Sequence, residues 1–248
     1  MKRINYILYL SITLLLINCS NEKNQFPTDK RYWDVNDYDE VVRTLRFGYE
    51  SDEKLPNFKD PKTRIVVEKL TDEKNYKVIL DDKKLGLKHK NKVAEKFFNK
   101  WKDMTRIYES TDRRDMYLYD QELLATWHFG LGLQLRYFKL GNDNIKENAD
   151  DPNSKTVENN INSNINTLIK NYLIYLDQIN NENSFTEEGK SKLAKGIDSY
   201  FTQLITLYPN ADYSKMRHKS ELMLKKANSN KIKSSLNKLI AMIDSKKE

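Results

Sequence analysis

The sequence predicts a mainly α-helical fold, a bundle of about six or seven helices around one buried central helix. Three observations point there. The 248 residues include only seven Gly and five Pro against abundant Lys, Asn, Ile, Leu and Glu, a balance that favours helices over sheet. Apolar residues recur at three- and four-residue spacing along most of the chain. One stretch, Arg113 to Leu140, is apolar on nearly every side, as a helix is when other helices surround it.

Residues 31–248 read as a single helical domain. In its first segment Val35, Tyr38, Val42 and Leu45 share one face, and Asp34 or Asn36 can cap the start. Pro56 and Pro61 mark a loop. Residues 64–80 follow, with two short β-branched runs, Arg64 to Leu70 and Tyr76 to Leu80, around the polar Thr71 to Asn75. They read equally well as a short β-hairpin or as helix, because Val66 and Leu70 also fit helical spacing.

From Asn91 the helical signal is strong, with Val93, Phe97, Trp101, Met104 and Tyr108 in one stripe. Asp112 is placed to cap the central helix, and Gly141 to end it. Asn142 to Ser154 reads as a polar loop. Next come Val157, Ile161, Ile165, Leu168, Tyr172, Leu176 and Ile179, with the asparagines at 159, 160, 162, 164 and 166 largely off that stripe. Ser184-Phe-Thr-Glu187 has the spacing of a capping box. It opens a helix through Leu193, Ile197, Phe201 and Leu204, which Pro209 closes. A last helix from about Asp212 breaks at Asn228-Ser-Asn230.

Candidate chemistry is sparse. His89 and His218 each lie between cations, which disfavour a metal. His128 sits in the apolar helix, but Glu122 and Asp120 lie six and eight residues upstream, off the spacing that shares a helix face. The sequence therefore implies no metal and no cofactor. Asp120 and Glu122, beside Trp127 and several tyrosines, are the carboxylates best placed for an acid–base pair. Gly130 and Gly132 inside a buried helix each cost about 1 kcal/mol relative to Ala. Either another helix crosses closely over them, or they open a ligand cleft beside Trp127 and Tyr137. The last helix carries Lys225, Lys226, Lys231, Lys233 and Lys238, a face that suits solvent or an acidic partner. Interspersed charge of both signs gives no basic stripe for nucleic acid.

The N-terminus carries an address. Met1-Lys2-Arg3 is a basic start, and Ile4 to Ile17 is an apolar run of about 14 residues, short of the ~20 that span a bilayer. Removal of this leader, 1–18, takes two positive charges from a formal net charge of +7. Leu16-Ile17-Asn18-Cys19 resembles a bacterial lipobox, with an aliphatic residue at −3 and the thiol that takes a diacylglycerol. Cys19 is the only cysteine, so no disulfide forms within one chain. Residues 19–30 read as the lipidated Cys and a flexible tether.

The leader Met-Lys-Arg-Ile-Asn…Leu-Leu-Leu-Ile-Asn-Cys19, the Asn/Lys tether and the Lys/Asn/Ile-rich helical body resemble the surface lipoproteins of Borrelia spirochaetes. The resemblance implies display on the outer face of the outer membrane, with host proteins, complement factors or matrix as partners. It brings no catalytic residues. The expectation is a non-enzymatic, membrane-anchored binding protein whose partner is a host or envelope protein or an acidic polysaccharide. Two alternatives stand beside it, a periplasm-facing toxin inhibitor or envelope scaffold, and an envelope hydrolase using Asp120 and Glu122.

Overall fold

The computed structural model describes residues 26–116 and 118–246. The leader, Cys19 and the first residues of the expected tether lie outside the described residues. At the other end of that tether, Phe26 packs against the core and the Pro27 carbonyl accepts the Trp33 indole N–H at 2.8 Å. The held chain thus includes residue 26.

Helix α1 (Val35–Glu50) starts where Asp34 accepts the N–H groups of Asn36 and Asp37, while the Asp37 carboxylate accepts the Asp34 N–H. This reciprocal pair satisfies donors that a helix start leaves open. Its Tyr38, Val41, Val42 and Leu45 are buried. Residues 64–80 form two helices, α2 (Arg64–Leu70) and α3 (Lys74–Leu80), and the described residues contain no strand. Burial explains which alternative forms. Val66, Val67 and Leu70 all enter the core, which a strand's alternating faces would forbid. The buried Asn75 side chain accepts the Trp33 N–H and donates to the Lys69 carbonyl and the Tyr38 hydroxyl, and that hydroxyl donates to the Leu70 carbonyl. The end of α2 and the start of α3 are thereby fixed to α1.

Helix α4 (Leu87–Arg114) presents Phe97, Trp101, Met104 and Tyr108 to the centre. Helix α5 (Asp120–Glu147) is the central helix and packs against α3, α4 and three of the helices that follow. Its bounds differ from the expectation at both ends. Asp112 belongs to α4, and its carboxylate accepts the Tyr119 N–H at 2.7 Å, holding the turn between the helices instead of capping one. Met116 makes that turn with φ 55°. Gly141 keeps an ordinary negative φ inside the helix, where Ile161 packs onto it, so it does not terminate α5.

Helix α6 (Pro152–Leu176), capped by Asp151, runs on into a 3₁₀ segment, Asp177–Ser184. Helix α7 (Glu187–Gly196) is capped by Thr186, which accepts the Gly189 N–H, so the box expected from Ser184 does not form. A π turn, Ile197–Phe201, joins α7 to α8 (Thr202–Leu207). Helices α9 (Ser214–Lys226) and α10 (Asn230–Asp244) flank the break expected at residues 228–230. The buried Glu182 carboxylate accepts the N–H groups of Asn228 and Ser229 there.

The tyrosines serve the core first. Tyr108, Tyr172 and Tyr175 are fully buried, and each hydroxyl donates to a carbonyl, of Pro56, Leu131 and Leu193 respectively. Side chains, not a crossing helix, account for Gly130 and Gly132 of α5. The Trp101 indole lies flat against Gly130, and the Tyr76 hydroxyl and Glu73 carboxylate lie against Gly132. A Cβ at residue 130 would meet a rigid ring that α4 cannot withdraw. Gly130→Ala should cost roughly 1–3 kcal/mol of stability in urea unfolding. In a Trp101→Leu background the same change should cost much less, because the obstructing ring is gone. An equal cost in the two backgrounds would contradict this packing.

Candidate functional site

Two places gather side chains able to do chemistry: a groove beside the central helix, and a set of carboxylates at its start. The groove, about 360 Å³, runs between α4, α5 and α6. Helix α6 approaches α5 in two ways. From Leu168 onward it is fully docked through Leu168, Ile169 and Tyr172. Before that, Val157, Ile161 and Ile165 are only half-buried, with asparagines on the next row. The first half of α6 therefore touches α5 by a narrow row and leaves an opening toward α4.

Of the four residues expected at a cleft, only Tyr137 lines this groove. Trp127 and Gly130 are buried against Trp101 and Tyr175, and Gly132 faces α3 at Glu73 and Tyr76. The floor is set by Gln134, 2 % exposed, whose amide donates to the Gly130 carbonyl and accepts from Asn171 at 2.6 Å. Phe98 contacts both Trp101 and Tyr137 edge to face along one side. The Tyr137 hydroxyl has no hydrogen-bond partner among the described residues, and burial raises its pKa. Lys102 is the only charged residue of the lining. Such a groove can hold a ligand by contact and neutral hydrogen bonds, and it offers no acid–base pair. The sequence reading missed Gln134, Asn160, Asn164 and Asn171. The signal was available, since these asparagines edge the α6 stripe at spacings of four and seven.

The carboxylates converge, but each is at most 2 % exposed. Asp120 accepts the N–H and hydroxyl of Thr186, both at 2.7 Å, and Glu122 accepts the Phe58 N–H at 2.5 Å. Together with Asp112 on Tyr119, they fasten the loop before α2, the α4–α5 turn and the start of α7 to one end of α5. Burial pushes the Asp112 carboxyl up to about 7, opposed by the Tyr119 N–H and helped by Asp120 and Glu122. Burial likewise raises Glu122, with the Phe58 N–H opposing it. Lys192 stands nearby, its ammonium 4.0 Å from the centre of the Phe58 ring, and burial pushes it down to about 8 against the pull of Glu122 and Asp120. These acids act on backbone donors, which is a holding role.

His128 is neutral. Its Nε2 pairs with the Tyr175 hydroxyl at 2.9 Å, and burial, aided by Lys192 and Lys195, pushes its pKa down to about 3. Among the described residues, no three His, Cys, Asp or Glu side chains are grouped to hold a metal. His89 lies exposed on α4. The lysines of the last helices are partly engaged within the domain: Lys226 with Asn180, Lys231 with Ser191, and Lys238 with Asp198. Among the described residues, no helix is long and apolar enough to cross a membrane. No protein-family model, curated protein or solved structure matches the chain.

The Asp112 carboxyl gives a pH signature. The unfolded chain loses this proton near the ordinary 3.8, whereas the folded one keeps it until about 7. As pH rises from about 4 to 7 the unfolded state is therefore favoured, and this group's contribution to stability drains away. Above that window it is flat. Asp112→Asn removes the titration, so wild-type stability minus variant stability should fall between pH 4 and 7 in urea melts. His128 titrates the opposite way in both proteins and cancels in the difference. A difference independent of pH would show that this carboxyl is not raised.

Proposed function

We propose that this chain is a lipid-anchored lipoprotein of the cell envelope, displayed on the outer face of the outer membrane, whose helical domain is a non-enzymatic binding protein. One observation carries the reading: the sole cysteine, Cys19, directly follows a basic start and an apolar run too short to span a bilayer. The diacylglycerol on that thiol already supplies the two chains that stable anchoring takes, and an acyl group on the new amine adds a third. The seven-residue step from Cys19 to Phe26 reaches about 25 Å at full extension, so the domain works close to the bilayer surface.

The domain's chemistry supports binding over turnover. Asp120 and Glu122, the carboxylates a hydrolase would need, are buried and bonded to backbone donors. The groove beside α5 presents amides and aromatic rings, with no carboxylate in its lining.

Cys19→Ala should lose metabolic labelling with palmitate and leave the precursor uncleaved. Continued labelling of that variant would remove the anchor. Protease shaving of intact cells should degrade the protein while a periplasmic control survives. A protected band would place the domain on the periplasmic side, as an inhibitor or scaffold within the envelope.

A further inference from the structure

We propose that the groove between α4, α5 and α6 binds an extended, uncharged peptide segment through its backbone. The inference rests on the binding-protein reading above and not on the lipid anchor.

The α6 wall is periodic. Asn160, Asn164, Thr167 and Asn171 recur at steps of four, three and four, one per turn, all lining the groove. From Asn160 to Asn171 a helix rises about 16 Å, the length of roughly five residues in extended conformation. Each asparagine offers an acceptor beside a donor, the same pair that a peptide unit presents in reverse. Two of the amides are pre-oriented. Asn164 donates to the Asn160 carbonyl and Asn171 to the Gln134 side chain, which leaves their side-chain oxygens for a ligand N–H. The Asn160 side chain, the Thr167 hydroxyl and the Tyr137 hydroxyl have no partner among the described residues. On the facing side Phe98 and Tyr137 are half-buried, and with Ile161 of α6 they make an apolar surface for alternate side chains of an extended chain.

Other ligand classes fit less well. A saccharide stacks on an open ring face, but the broadest ring here, Trp101, is 5 % exposed and pressed against Gly130. An acyl chain would strip water from the amides and leave them unpaired. A charged ligand would find Lys102 as its only ion partner in the lining.

The test uses the full chain in detergent and a display library of uncharged octapeptides. Selected peptides should bind the wild type and the off-groove variant Asn162→Leu alike. They should bind Asn164→Leu and the groove-filling Thr167→Trp at least about tenfold more weakly, one or two hydrogen bonds' worth. The three substituted positions are exposed, and thermal unfolding would show that each variant folds. A measurement on the unaltered protein stands beside these. N-methylation of the selected peptide removes its backbone donors and should abolish binding. Failure to select any peptide would overturn the proposal. So would equal binding to all variants, or undiminished binding of the N-methylated peptide. Binding in this assay is independent of palmitate labelling and of shaving, so the anchor and the groove fail separately.

Discussion

The structure depends on burying the first half of α5, residues 122–135, on nearly every side. A helical stretch without a solvent face cannot be held by one neighbour, so α3, α4, α6, α7 and α8 must all close on it. Closure needs space, and Gly130 and Gly132 supply it where Trp101 and Tyr76 come down onto the helix. It also needs every polar group taken from water to find a partner. Most buried tyrosines meet this demand by directing their hydroxyls to carbonyls such as those of Leu70 and Pro56. The Tyr76 hydroxyl and the Trp101 and Trp127 indole N–H groups have no partner among the described residues.

The same demand explains why acids gather where α5 begins. Cys19 is the only thiol, so no intrachain disulfide pins the loops. Buried carboxylates do so instead. Asp112, Asp120 and Glu122 each accept a backbone N–H from a different segment, and Glu182 repeats the device at the start of α10. A carboxyl oxygen accepts a backbone N–H whether or not the group carries its proton, and such a bond is stronger away from water. The cost appears in the raised pKa of Asp112 and Glu122. What the sequence offers as a catalytic pair is, in space, a fastening.

Much of the fold was legible because helical periodicity and long apolar stripes are local. The central helix, the stripes of α1, α4 and α6 and the break before α10 follow from spacing alone. The misreadings came where tertiary partners decide. Val66 and Val67 have β-branched side chains, yet the core takes both, and Asn75 locks the helical form through two long-range bonds, to Trp33 and Tyr38, and a local one to Lys69. Gly141 looks like a helix end, but Ile161 needs the missing side chain there. Ser184 has the spacing of a cap, but Thr186 is the residue that Asp120 holds in place. The groove escaped notice for a related reason. Its amides are ordinary surface asparagines until α6 is seen to stand off from α4.

Native-state hydrogen exchange tests most directly whether the loops hang on the buried end of α5. The amides of Phe58, Tyr119 and Thr186 lie outside the α-helices, yet their acceptors are carboxylates of the core. The account predicts that these three exchange nearly as slowly as Leu124 to Leu133 of α5, through the same opening reaction. Exchange at the rate of unprotected loop amides, while α5 stays protected, would contradict it.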